Sequence, residues 1–169
     1  MKKIIITIIT LFITLGTILN FNLVNASEQH THSNDNQSKT EHTILHTNDI
    51  HGRFVEEKGR VIGMPKLKGL KNKEKPDLVL DSGDAFQGLP VSNHSKGEEM
   101  AKAMNKVGYD AMTIGNHEFD FGYNQLLKLQ KQLHFPMISS NIYKNGKRIF
   151  KPSTIIKRNG VRYLSLIHI

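Results

Sequence analysis

Four short apolar runs, separated by stretches of helical periodicity, restrict this chain to an alternating α/β architecture. The runs are Thr43-Ile44-Leu45-His46-Thr47, Asp77-Leu78-Val79-Leu80, Ala111-Met112-Thr113-Ile114 and Pro136-Met137-Ile138-Ser139-Ser140. Their lengths suit strands buried between layers. Between them, residues 64–72, 98–107 and 123–133 read as helices. In the second of these, Gly97 precedes the start, Glu98 and Glu99 suit the positive end of the helix dipole, and Gly108 stops the element. Met100, Ala103, Met104 and Val107 then share one face, and Leu126, Leu127, Leu129, Gln130 and Leu133 form a similar stripe in the third. We read both stripes as core packing. Strands alternating with helices predict βαβ units and a largely parallel sheet, with ligands at the carboxyl ends of the strands. After Asn141 the pattern changes: Asn145-Gly146 and Asn159-Gly160 signal turns, the second joining 154–157 to 161–164 as a hairpin.

The first 42 residues belong to a different regime. Lys2 and Lys3 precede an apolar run over 4–19, and Val24-Asn25-Ala26 offers small residues before Ser27. This is the three-part pattern of a secretory signal over 1–26, and the run is shorter than the ~20 residues that span a bilayer. Residues 27–42 are polar and are expected to form a flexible spacer. The expected product is secreted or held at the cell surface, with no membrane span once the signal is cleaved. Loss of Lys2 and Lys3 lowers the net charge from +8 to +6. The remaining basic residues are scattered without interleaved aromatics, so nucleic acid is not an expected partner.

Chemistry concentrates where the first three runs end. Asp49-Ile50-His51-Gly52 follows the first, Asp81-Ser82-Gly83-Asp84 the second, and Gly115-Asn116-His117-Glu118-Phe119-Asp120 the third. Polar loop residues are commonplace turn formers, but the carboxyl ends of parallel strands lie on one edge, so these three clusters converge. Residues two apart on extended chain point the same way, which lets Asp49 and His51 reach one cation. With no cysteine in the chain, any metal must take oxygen and nitrogen ligands. That set suits Mn²⁺, Zn²⁺ or Fe.

The order Asp-x-His, Gly-Asp, Gly-Asn-His-Glu resembles the calcineurin-like metallophosphoesterases. The fuller wording, His46-Thr47-Asn48-Asp49-Ile50-His51-Gly52, Asp81-Ser82-Gly83-Asp84-Ala85-Phe86-Gln87-Gly88, Gly115 through Gly122 and Ser139-Ser140-Asn141-Ile142, resembles their 5'-nucleotidase branch over about 43–163. The resemblance implies a layered αββα-type sandwich and two divalent metal ions, Mn, Zn or similar. It gives Asp49 and His51 to the first metal, Asp84 to both as a bridge, and Asn116 to the second. His117 would approach the scissile phosphate, and Asp120 would orient its imidazole. Glu118 is read as structural. Arg53 is read as a surface residue, with a phosphate contact as the alternative. His46 is read as packing in or beside the first strand, and His94 and His134 as ordinary residues.

The implied function is release of phosphate from nucleoside 5'-phosphates of the AMP type, by water activated between two metals. The family pattern also includes a later Gly-His-x-His segment and a C-terminal domain with base-holding aromatics, neither of which occurs in this sequence. Residues 43–169 are therefore expected to form only the N-terminal part of the catalytic domain, inactive by itself and with an open sheet edge and an uncovered apolar face. The alternative is a non-catalytic secreted fragment that binds a phosphate ligand or a partner.

Overall fold

The computed structural model describes residues 41–166. The segment read as a signal, 1–26, and nearly all of the spacer fall outside the described residues. Thirteen elements follow in order: β1 Ile44–Thr47, α1 Gly63–Glu74, β2 Leu78–Asp81, α2 Pro90–His94, α3 Glu98–Val107, β3 Ala111–Thr113, a single 3₁₀ turn His117–Phe119, α4 Tyr123–Gln132, β4 Met137–Ile138, then the strands β5 Tyr143–Lys144, β6 Lys147–Arg148, β7 Ser153–Arg158 and β8 Val161–Leu166.

Strands β1 to β4 form one parallel sheet in sequence order. Every crossover steps in the same direction, so right-handed connections put the helices on one face of this sheet. Alternation then divides the strand residues. Val79 and Met112 enter the helix-side core with Met64, Met100, Met104, Leu126 and Leu129. Leu78 and Ala111 point the other way, onto Ile156 and Tyr163 of the β7–β8 hairpin. The layers are helices, parallel sheet and hairpin. The expected apolar face is thus partly covered, and exposed apolar surface moves outward to Ile155, Leu164 and Leu166.

Helix α3 has its expected bounds, and Gly97 and Gly108 flank it in left-handed conformation. The four sheet strands are all displaced from the expected runs by one or two residues at an end, β1 beginning at Ile44. β2 begins at Leu78; Asp77 just before it donates its N–H to Thr43 O at 2.8 Å, and its carboxylate accepts the Thr43 N–H at 2.9 Å and an amide N–H of Asn159 at 3.0 Å. β3 ends at Thr113. β4 shrinks to Met137–Ile138, since Pro136 has no N–H to donate and serves only as an acceptor for Met112. Both Asn-Gly pairs form the expected turns, with positive φ at each of the four residues.

Candidate metal centre

Thr47, Asp81 and Thr113 end β1, β2 and β3, and the three loops that follow are tied together by main-chain bonds. Asp49 N–H donates to Gly83 O at 3.0 Å, His51 N–H to Asp84 O at 2.9 Å and Gly52 N–H to Ala85 O at 3.0 Å. The first two loops therefore continue the β1–β2 pairing past the sheet. The third is joined to them by Glu118. Its buried carboxylate accepts the N–H groups of Asp84 at 2.8 Å, Ala85 at 2.7 Å and Gly115 at 2.7 Å, and more loosely that of Phe86 at 3.4 Å. Burial pushes the Glu118 carboxyl above its ordinary range, and the surrounding N–H donors oppose that. The structural reading of Glu118 acquires a specific content: it staples two loops.

Asp49, His51 and Asp84 each offer a ligand atom, and these atoms all lie within 4.8 Å of one another. Donors that share a cation at ~2.0–2.2 Å stand up to about 4.4 Å apart, so the three close on one ion with little movement. His51 is oriented for this. Its Nδ1 lies 3.1 Å from Gln87 Oε1, an acceptor, which puts the proton on Nδ1 and leaves the Nε2 lone pair toward Asp49 Oδ1 at 3.7 Å. The donor chemistry and spacing fit a divalent metal.

The backbone at these positions is unusual. Asp49, His51 and Asp84 all have positive φ, at 49°, 48° and 57°. Asp and His tolerate the left-handed region better than most residues, but each such position still costs free energy and persists only where the surroundings impose it. That three proposed ligands share it marks a site held in shape by the loops. Gly115 completes the packing: a Cβ there would collide with the Asp84 carboxylate.

His117 and Asp120 form a pair, Nδ1 to Oδ2 at 2.8 Å, and the bond to Asp120 raises the pKa of the imidazole. The His117 N–H donates to Asp84 Oδ1 at 2.9 Å, and its ring meets that of His51 edge-on with centroids 5.1 Å apart. Asn116 is exposed between Gly115 and His117 on the same loop. The structure thus draws the first, second and third clusters into one site. His46 lies in β1 but is exposed, which corrects its reading as a packed residue. His94 is exposed at the end of α2, and His134 is exposed with its N–H bonded to Asn105.

Two contributors were not assigned a role from sequence. Gln87 sits three residues after Asp84 in the second motif, and only its contact with His51 reveals its task. Asp81, 2% exposed, accepts the Thr47 hydroxyl at 2.6 Å and the Gly83 N–H at 2.9 Å. Tyr109 OH lies 2.8 Å from the same Thr47 hydroxyl. Burial drives the Asp81 carboxyl up to about 7 against those hydrogen bonds, with the Glu118 and Asp49 charges adding to the shift.

The family model of calcineurin-like phosphoesterases matches residues 42–168. A 5'-nucleotidase of Vibrio parahaemolyticus is 42% identical over 130 residues, covering 71% of this chain and 23% of its own length. Protein UshA of Escherichia coli is 39% identical over 130 residues, covering 71% of this chain and 24% of its own. The crystal structure of a 5'-nucleotidase precursor from Thermus thermophilus superposes with a TM-score of 0.64 at 31% identity, over 74% of this chain and 28% of that one. The chain spans about a quarter of the length of the curated relatives it matches. On its motifs, its parallel sheet and these matches, this chain belongs to the calcineurin-like phosphoesterase family.

Proposed function

We propose that the protein carrying this chain is a metal-dependent hydrolase that releases phosphate from nucleoside 5'-phosphates of the AMP type. The observation that carries the reading is the group Asp49, His51 and Asp84, three donors within 4.8 Å at the carboxyl ends of parallel strands. The relatives named 5'-nucleotidase support the substrate class. Asp49 and His51 would hold one divalent ion, Asp84 would serve both ions through its two oxygens, and Asn116 would give its amide oxygen to the second. Mn²⁺ and Zn²⁺ suit this donor set. Such ions supply an activated water at neutral pH and neutralise phosphoryl charge.

The remaining steps fall to the chain's own groups. Asp120 occupies His117 Nδ1, so Nε2 is left to donate to a phosphoryl or leaving oxygen. The raised pKa keeps that donor protonated further up the pH scale. Gln87 fixes the His51 tautomer, and Glu118 fixes the main chain on either side of Asp84. Residues 1–26, read as a secretory signal, support action outside the cytoplasm.

The test is phosphate release from AMP, with and without Mn²⁺ or Zn²⁺, comparing the wild type with Asp84→Ala. Metal-dependent release that disappears in the variant supports the proposal. Metal binding with no release from any nucleoside monophosphate would favour a non-catalytic phosphate-binding protein.

A further inference from the structure

Asn93, exposed in α2, turns its side chain away from solvent and back on Gly88. Its Oδ1 accepts the Gly88 N–H at 2.8 Å, and its Nδ2 donates to Gly88 O at 2.9 Å. One amide thus holds both main-chain groups of one residue. The short helix does not need this grip, since Ser92 N–H and Asn93 N–H already bond Leu89 O at 3.0 and 2.9 Å. Gly88 lies directly against His51: its φ is 137°, and a Cβ there would stand 2.1 Å from His51 O and 2.9 Å from His51 Cβ. The neighbours of Gly88 reach His51 on either side. Gln87 Oε1 lies 3.1 Å from the ring Nδ1, and the Leu89 N–H donates to His51 O at 3.2 Å. Residues 87–89 therefore hold both the ring and the carbonyl of His51, and Asn93 holds the middle one of the three.

We infer that Asn93 is a positioning residue for His51, acting through Gly88 and its neighbours Gln87 and Leu89. The inference rests on the hydrolase reading for what His51 binds, but not for what holds its ring. The Nδ1–Gln87 separation is near the long end of the ~2.7–3.2 Å range for such bonds, so a small displacement of the main chain breaks it. Glycine has the widest conformational freedom of any residue, and Gly88 without its two bonds to Asn93 gains that freedom. Once the acceptor leaves Nδ1, the ring proton is free to sit on Nε2, which then has no lone pair for a metal. The ends of the segment are anchored independently of Asn93. The buried Ser92 hydroxyl donates to the O of buried Phe86, and Gly97 N–H to Ser92 O at 2.8 Å. Removing the Asn93 amide should thus loosen residues 87–89 without unfolding the chain.

The test compares Asn93→Ala with Asn105→Ala in the full chain. Asn105 makes the same two-sided grip elsewhere, between α3 and the end of α4: its Nδ2 donates to Gln132 O at 2.8 Å and its Oδ1 accepts the His134 N–H at 2.8 Å. Ring ¹⁵N shifts of His51 in the metal-free protein, at a mildly alkaline pH where histidine rings are neutral, report the tautomer. The wild type is expected to carry the proton on Nδ1. Asn93→Ala should mix the two tautomers and weaken Mn²⁺ binding roughly tenfold, the lower end of the range for groups that orient a metal-holding histidine. Asn105→Ala should leave both readouts at wild-type values while lowering the urea midpoint. Asn93→Asp, with the same shape, keeps the acceptor for Gly88 N–H but faces Gly88 O with an oxygen, and should give an intermediate mixture. In a Gln87→Ala background, Asn93→Ala should add little, because both changes act through one ring. A wild-type His51 ring in folded Asn93→Ala, the same ring change in Asn105→Ala, or an effect undiminished in the Gln87→Ala background would overturn the assignment. A wild type that binds no Mn²⁺ but shows the expected tautomer change in Asn93→Ala would sink the hydrolase reading and leave the action of Asn93 on His51 standing.

Discussion

Replacing Glu118 by Gln tests how the loops are held with the smallest change of shape. The carboxylate has two acceptor oxygens. Oε2 takes the N–H groups of Asp84 and Gly115, and Oε1 takes those of Ala85 and Phe86. A Gln amide can accept on one side only; its NH₂ must face two N–H donors across the other. If the oxygen stays with Ala85, the N–H groups of Asp84 and Gly115 lose their partner in a buried site. An orphaned buried donor costs roughly 1–3 kcal/mol. The neutral amide avoids the cost of burying a charge, which offsets part of that sum. The net loss should be about 2–4 kcal/mol, a large share of the ~5–15 kcal/mol that holds a typical domain. Urea denaturation followed by circular dichroism measures it. The same variant should bind Mn²⁺ about 10–100-fold more weakly, because the groups that position ligands contribute on that scale. A stability loss under ~0.5 kcal/mol together with unchanged Mn²⁺ affinity would refute the staple.

Other variants probe separate parts of the site. Asp81 is held up to about 7 in the fold and titrates near ~3.9 when unfolded, so between those values the native state keeps a proton the unfolded chain has lost. Stability should therefore fall as pH rises from about 5 to 7, by roughly 2–3 kcal/mol, and Asp81→Asn should flatten the urea-midpoint profile. A wild-type profile that is already flat would contradict this. Gly115→Ala places a methyl group against the Asp84 carboxylate and should weaken Mn²⁺ binding, measured by calorimetry, more than Gly146→Ala at an open turn. His117→Ala should lower turnover more than metal content, whereas Asp84→Ala should lower both. Equal metal loss in the two, measured by elemental analysis, would reverse the assignment.

Much of the fold was legible because its signals are local. Helix α3 announces both ends with glycines in left-handed conformation, and the Asn-Gly pairs specify their turns without help from the rest of the chain. The order of strands and helices likewise fixed the parallel sheet. What the sequence hid were choices settled by tertiary partners. The Asp77 carboxylate at the start of β2 takes Thr43 and Asn159 as partners, which are distant along the chain. The short helix α2 and the strands β5 and β6 are too brief to show a period. In the site, the motifs located the clusters, but no spacing rule says that Asp49, His51 and Asp84 take positive φ. Nor does one say that Gln87 faces His51 or that Glu118 serves two loops. Those facts belong to the junction of loops and become visible only there.

The central claim is that the three loops hold metal through Asp49, His51 and Asp84. The most direct measurement is paramagnetic broadening of the chain's backbone NMR signals by substoichiometric Mn²⁺, in the wild type and in Asp84→Ala. The account expects broadening centred on residues 49–52, 83–86 and 115–117, largely lost in the variant while its spectrum stays folded. Broadening centred elsewhere, or unchanged when Asp84 is removed, would contradict it.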